Sequence, residues 1–237
     1  MSSASSTSSL PAAARYHDTI AAEWDELYRS GGFQRRAAMI EAFLSRLPLR
    51  GQRWLDAGCG SGYFSRRLVE GGAKVRGLDA STAMIEAARA HAQTVDPQQL
   101  HFEHVSTIET LDEKDASYDG ILCLSVLEYL DAPEATLGEF ARVLRPGGHL
   151  LLSLPQRSSL VRQLQQKLRG VGSTFGRDWC SYLSVSKNAY EMAELHAILK
   201  RAGFEARHLR EFDPILPETL VGLLPGSLLF VLAQRMS

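Results

Sequence analysis

The chain has 237 residues, 45% of them hydrophobic and 22% charged, with a formal net charge of −1. That length suits one α/β domain with a sizeable core, and the near-neutral balance excludes a global electrostatic pull toward nucleic acid or anionic membranes. The three cysteines, Cys59, Cys123 and Cys180, are too few and too scattered for a disulfide framework or a zinc site, so a reducing, cytoplasmic setting is expected.

Met1 to Ser9 is almost all Ser, Ala and Thr and lacks the apolar core of a secretory signal, so residues 1–14 read as a disordered tail. No stretch approaches the ~20 apolar residues needed to span a bilayer. From Tyr16 to Leu27 the apolar residues Tyr16, Ile20, Trp24 and Leu27 recur at helical spacing. Trp24 either packs on the sheet or faces a ligand. A second helix, Phe33 to Leu47, ends before Pro48 and Gly51.

Trp54-Leu55-Asp56-Ala57 then reads as a buried strand ending in Gly58-Cys59-Gly60-Ser61-Gly62. Alternating glycines let the backbone turn tightly and approach a ligand, and free N–H groups open the following helix. A dinucleotide fingerprint needs a glycine at position 63, where Tyr63 stands. The helix stops at Gly71-Gly72, and the strand Lys74 to Leu78 ends at Asp79. An acid roughly 20 residues past the glycines is placed to bind two ribose hydroxyls. Ser81 caps a helix from Thr82 to about Thr94 that carries Met84 and Ile85.

A third strand, Leu100 to Val105, leads into Ser106-Thr107-Ile108-Glu109, and the acidic run Asp112 to Asp115 reads as a solvated turn. Tyr118 to Leu124 is nearly all apolar, as a central parallel strand should be. Ser125-Val126-Leu127-Glu128-Tyr129 follows at its carboxyl end. Pro133 opens a helix that ends in Arg145-Pro146-Gly147-Gly148, read as a turn into the strand Leu150 to Leu154. Residues 155–188 form an insertion. In it Leu160, Val161, Leu164 and Leu168 line one side of a helix, and Arg157, Arg162, Lys167 and Arg169 the other. Such a basic amphipathic helix, over 158–169, fits peripheral membrane contact, a substrate lid or a plain surface position. Phe175, Arg177, Trp179 and Tyr182 follow in a loop whose aromatic residues suit a planar or lipophilic ligand. A last helix, Ala189 to Arg201, precedes strands Phe204 to Leu209 and Leu228 to Leu232.

The D-x-G-x-G-x-G loop at 56–62, the Tyr16-His17-Asp18…Trp24-Asp25 opening, Leu127-Glu128-Tyr129, the Arg-Pro-Gly-Gly turn and Arg201-Ala202-Gly203-Phe204 together resemble class I S-adenosylmethionine-dependent methyltransferases of the small-molecule branch. Thr107-Ile108-Glu109 is similar to a turn of the ubiquinone-biosynthesis O-methyltransferases. The resemblance implies a Rossmann-like α/β fold with a seven-stranded, mostly parallel sheet in the order 3-2-1-4-5-7-6, its last strand antiparallel and helices on both faces. Residues 15–50 would be lid helices, 51–154 the cofactor-binding half, 155–188 a cap and 189–237 the last helix and edge strands.

It also implies that S-adenosylmethionine is held by Tyr16, Asp56, Gly58, Cys59, Gly60, Gly62, Asp79, Ala80, Met84, Thr107, Ile108 and Leu124. Methyl transfer would go to a small-molecule hydroxyl, phenol or quinol-like, or to an amine, with Glu128, His17 or His208 as general base. The chain departs from the ubiquinone-type pattern in having one carboxylate, Glu128, and Tyr129 in place of a His, too poor a ligand set for a hard dication, so no metal is expected. Nucleic acid is not an expected substrate, because the N/D-P-P-[YF] tetrapeptide is missing after the fourth strand. A nicotinamide-dependent oxidoreductase and a non-catalytic S-adenosylmethionine-binding protein stand as alternatives.

Overall fold

The computed structural model describes residues 12–172, 181–217, 219–220 and 223–237. One sheet has the order β3-β2-β1-β4-β5-β7-β6. Its strands are β1 Arg53–Ala57, β2 Lys74–Asp79, β3 Leu100–His104, β4 Tyr118–Leu124, β5 Leu144–Pro155, β6 Phe204–Phe212 and β7 Leu228–Arg235. Strands β3, β2, β1, β4 and β5 run parallel, and β7 lies antiparallel between β5 and β6. This is the Rossmann-like order and sense implied by the resemblance.

Burial explains the strand type. Ile121, Leu122 and Cys123 on β4 and Leu150, Leu151 and Leu152 on β5 are all buried, so successive side chains are covered on both faces. One layer sets Leu55, Ile121 and Val231 against Phe140, Leu195 and Leu199 from α6 (Pro133–Val143) and α8 (Met192–Arg201). The other sets Trp54, Leu151 and Phe230 against Ile40, Phe64, Leu68 and Ile85 from α3 (Gly31–Leu44), α4 (Tyr63–Glu70) and α5 (Thr82–His91). Each such Leu, Ile or Phe contributes ~1.5–3 kcal/mol by burial. Gly120 makes room for Trp54, since a Cβ there would lie 2.4 Å from the indole. Strand order reverses between β1 and β4, the point at which an open α/β sheet places a ligand crevice beyond its carboxyl ends.

Several local expectations change. The helix expected over Tyr16 to Leu27 is instead α1 (Ala12–Asp18), a 3-10 turn (Ala21–Glu23) and α2 (Trp24–Leu27). Thr19 gives both its N–H and its hydroxyl to the Tyr16 carbonyl, and the Asp18 carboxylate is drawn away to Ser81 and Ala83. Local competition of this kind ends helices. The Arg145-Pro146-Gly147-Gly148 segment is not a turn ahead of β5 but a bulge inside it: Tyr118 pairs with Leu144 and Gly120 with His149, and Gly147 takes φ 77°. In the acidic run, Glu113 accepts from Arg76 and from the Tyr118 hydroxyl, tying β2 to β4 rather than facing solvent.

Helix α7 (Leu160–Gly172) lies in the expected insertion, with Lys167 outward as expected but with Leu160, Leu164 and Arg162 turned the opposite way. Leu160 and Leu164 are 55% and 57% exposed, whereas Arg162 is 4% exposed. Glu128 and Ser186 supply polar partners on the inner side, which overrides the hydrophobic pattern. The basic face expected to meet a membrane is therefore not the outward one at Arg162. Residues 1–11 of the expected tail, and Phe175, Arg177, Trp179 and Cys180, lie outside the described residues. Among the described residues no helix is long and apolar enough to cross a membrane.

Candidate active site

The site begins where β1 ends. Gly58, Gly60 and Gly62 take φ values of 81°, 53° and 74°, which L side chains resist. Space requires glycine as well: a Cβ on Gly58 would lie 2.2 Å from Val126 Cγ2, and one on Gly62 2.4 Å from Phe102 Cζ. At Gly60 a Cβ would lie 3.4 Å from Trp24 Nε1 and 3.9 Å from Met84 Sδ, so both side chains stand over the loop. The cradle thus fits a ligand that needs close backbone approach, as the methionine part of S-adenosylmethionine does. Tyr63, in the place of a dinucleotide glycine, stacks on Tyr28 with ring centroids 4.3 Å apart.

Asp79 clamps the loop. One carboxylate oxygen accepts from the Gly60 N–H and the other from the Ser81 N–H, each at 2.8 Å. Each oxygen keeps a second lone pair for a sugar hydroxyl. Burial pushes the Asp79 carboxyl up, against the pull of these amides and of His17. Asp56 is buried beneath the loop, accepts the Ser65 hydroxyl at 2.5 Å, and is pushed up to about 7 by burial. Cys59 is a buried free thiol, raised by burial and by the charge of Asp79. Met84 is buried at the start of α5, where its N–H donates to the capping Ser81 hydroxyl at 3.1 Å.

The N-terminal segment is latched over this loop by two aspartates. Asp18 accepts the Ser81 hydroxyl and the Ala83 N–H. Asp25 accepts the Ser61 hydroxyl and an Arg66 N–H, with His91 Nδ1 at 3.3 Å. Tyr16 and His17 stand just before the first of these latches, with ring centroids 5.2 Å apart. The His17 ring is also 5.4 Å from Trp24 and meets Tyr129 edge-on at 5.6 Å. Its Nδ1 is buried without a hydrogen-bond partner. Burial lowers the His17 pKa below its ordinary 6.5, although Asp79 and Asp18 pull it upward, so the imidazole is neutral at pH 7.

Beyond β4 the chain forms the other wall. Ser125 holds a strained φ of 56°. Glu128 is 3% exposed, accepts the Ser186 hydroxyl at 2.5 Å, and faces Arg162 at 4.0 Å. Burial raises its carboxyl to about 7 despite Ser186, Arg162 and Arg36. Among the described residues no group of three His, Cys, Asp or Glu side chains is placed to hold a metal. The crevice therefore combines a backbone cradle, a carboxylate clamp, a neutral imidazole and a buried acid.

Residues 30–209 match the methyltransferase domain family. The chain belongs to that family. This membership bears out the expected enzyme class, an S-adenosylmethionine-dependent methyltransferase, and the cofactor that goes with it. A ubiquinone biosynthesis O-methyltransferase from Paracidovorax citrulli is 32% identical over 112 residues, 47% of this chain and 47% of its own length. One from Idiomarina loihiensis is 37% identical over 111 residues, 46% of this chain and 45% of its own. The matched part spans about half the length of these two relatives. Magnesium protoporphyrin IX methyltransferase from Synechocystis PCC 6803, solved with S-adenosylhomocysteine, superposes with a TM-score of 0.68 at 23% identity, covering 93% of this chain and 96% of that one. The [4+2]-cyclase SpnF superposes equally well, with a TM-score of 0.68 at 16% identity, covering 96% and 97%. Likeness at such identities is of fold alone, and the reaction must be argued from the site.

In this methyltransferase the structure brings Tyr16, His17, Asp56, the three loop glycines, Cys59, Asp79 and Met84 together around one turn. Ala80 follows Asp79 directly, and Leu124 is half-buried at the end of β4. Thr107 accepts the Glu109 N–H at 3.0 Å and so shapes its own turn, while Ile108 is buried in the core layer of β4. His208 is not brought to the others: it is exposed in the middle of the edge strand β6, paired with Leu232. Sequence reasoning named Asp18 and Asp25 in a motif without giving them a role, and it missed Arg36 and Ser153. Arg36 had a signal, since it interrupts an otherwise apolar buried stripe of Ala37, Ile40, Phe43 and Leu44 on α3.

Proposed function

We propose that this methyltransferase methylates a hydroxyl of a small molecule, phenol or quinol-like, in the cytoplasm. S-Adenosylmethionine supplies an electrophilic methyl group on a sulfonium when bound. Gly58, Gly60 and Gly62 would cradle its methionine part, Asp79 its ribose hydroxyls, and Trp24 and Met84 would cover it from solvent. His17 is the general base: its imidazole takes the proton of the acceptor hydroxyl.

The observation that carries this reading is that imidazole, neutral at pH 7, buried, with Nδ1 unpartnered, between the clamp and Tyr129. A hydroxyl acceptor requires such a base, which contributes typically ~10²–10⁴-fold in rate. The O-methyltransferase relatives support oxygen over nitrogen. Glu128 is the second candidate, since a carboxyl at about 7 also suits proton transfer, but its carboxylate is already engaged by Ser186. Orientation and water exclusion beneath the latched segment supply the rest of the rate.

The test is calorimetric binding of S-adenosylhomocysteine followed by a panel of phenols, catechols, quinols and amines, read as product release. Turnover of hydroxyl acceptors that falls roughly 10²–10⁴-fold in His17→Ala, with cofactor affinity kept, is the expected result. Turnover confined to amines, or full kcat in His17→Ala, overturns it.

A further inference from the structure

Two buried guanidinium groups, those of Arg36 and Arg162, both favour the charged form of one buried carboxylate, Glu128. Arg36, 8% exposed, reaches from α3 to the carboxyl ends of β4 and β5, where one terminal nitrogen donates to Ser125 Oγ at 3.0 Å and Ser153 Oγ at 3.4 Å. Arg162, 4% exposed, reaches in from α7 and donates to Ser186 Oγ at 2.7 Å. The Nε of each is buried with no partner. Among the described residues no carboxylate lies within ion-pair distance of Arg36, and the one facing Arg162, Glu128, stands at 4.0 Å with Ser186 bridging the gap.

The charges do not close. Guanidinium stays protonated in proteins, so two cations face one acid, and a buried charge left without a counter-ion is strongly unfavourable. Neutral serine hydroxyls satisfy donors without supplying charge. The inner face of α7 is polar because Ser159 and Arg162 turn inward while Leu160 and Leu164 turn out. That polarity is directed at the crevice wall, and Val126, next to Ser125, packs against Gly58 of the cofactor loop.

We propose that Arg36 and Arg162 form a receptor for a carboxylate on the methyl acceptor, a reading that rests on the proposed transfer to a small molecule. One added negative charge balances the cluster when Glu128 is ionised, which favours a monoanion over a phosphate dianion. The planar carboxylate also matches the fork of a guanidinium, to which Arg36 still offers a free Nε–H. The acceptor is then a hydroxylated aromatic acid, held by its acid group at Arg36 with its hydroxyl directed toward the cofactor loop.

The experiment uses the full chain loaded with S-adenosylhomocysteine. Thermal melts and calorimetry are run with 4-hydroxybenzoate and cinnamate, with their amides 4-hydroxybenzamide and cinnamamide, and with phenyl phosphate. The expected result is saturable binding and a raised Tm with the acids, no response to the amides, and binding roughly 10- to 100-fold weaker in Arg36→Met and in Arg162→Met. The Tm increase caused by S-adenosylhomocysteine itself is retained in both variants and serves as the control for folding. Should one variant lose that control, the other decides. Equal responses to acids and amides, no response to any acid while the cofactor product still binds, or a response to phenyl phosphate alone would each overturn the carboxylate receptor. Absence of any S-adenosylhomocysteine response in the wild type would count instead against the methyltransferase reading.

Discussion

Relative to the wild type, Glu128→Gln should gain stability as pH rises from 4.5 to 8. Glu128 is 3% exposed, and burial lifts its carboxyl from an ordinary 4.5 to about 7. An ion pair at the 4.0 Å that separates it from Arg162 would be worth about 4 kcal/mol at an effective dielectric near 20. The carboxyl is raised nonetheless, so desolvation is the larger effect. The folded-state value lies above the unfolded one, so the folded protein holds this proton more tightly. Its contribution is therefore fully present below about 4.5 and is lost as pH rises through about 7. A rise from 4.5 to about 7 corresponds to about 3 kcal/mol. Asp56 is also raised to about 7 and adds a slope of the same sign, but it is present in both proteins and cancels in the difference. Urea unfolding at pH 4.5, 6, 7 and 8, with equal m-values as the check on two-state behaviour, measures that difference. Stability curves that stay parallel to within about 0.5 kcal/mol across this range would refute the reasoning.

The pH–rate profile separates the two candidate bases: with His17, kcat/KM stays level through pH 7 and falls only below 6.5, because burial lowers the imidazole pKa, whereas a Glu128 base would place the acid-side fall near 7. Asp18→Ala and Asp25→Ala each remove charge-assisted hydrogen bonds that latch the N-terminal segment to Ser81, Ala83, Ser61 and Arg66. Each should weaken S-adenosylhomocysteine binding by roughly 10- to 100-fold in calorimetry, and unchanged affinity would show that the segment does not close over the cofactor.

The sheet and the cofactor loop were legible in the sequence because both are written in local pattern. Short, mostly apolar runs at 54–57, 118–124 and 150–154, bounded by glycines and turn residues, read as buried strands, and Gly58 and Gly62 stand where a Cβ would strike Val126 and Phe102. Asp79 was legible as the end of β2 from its distance past the glycines, whereas its hold on the Gly60 and Ser81 amides was not. The bulge at 145–148 was misread because a Pro-Gly-Gly run signals a chain reversal with or without a strand around it.

What the sequence hid are polar contacts between elements far apart in the chain. Helical periodicity assigns leucine to the inside and arginine to the outside, and in α7 that rule inverts because the surface awaiting the helix is itself polar, with Glu128 and Ser186 supplying partners for Arg162. The same logic places Arg36 inside α3, where Ser125 and Ser153 on β4 and β5 receive it. Consistent local signals specify a packed fold, so the positions where they fail concentrate where the fold carries chemistry. Arg36 and Arg162 violate the pattern on separate helices, yet the charge of each favours the ionised form of Glu128. Two buried arginines that act on one buried acid still leave a positive charge over, and that imbalance is why the cluster is assigned to the acceptor rather than to stability.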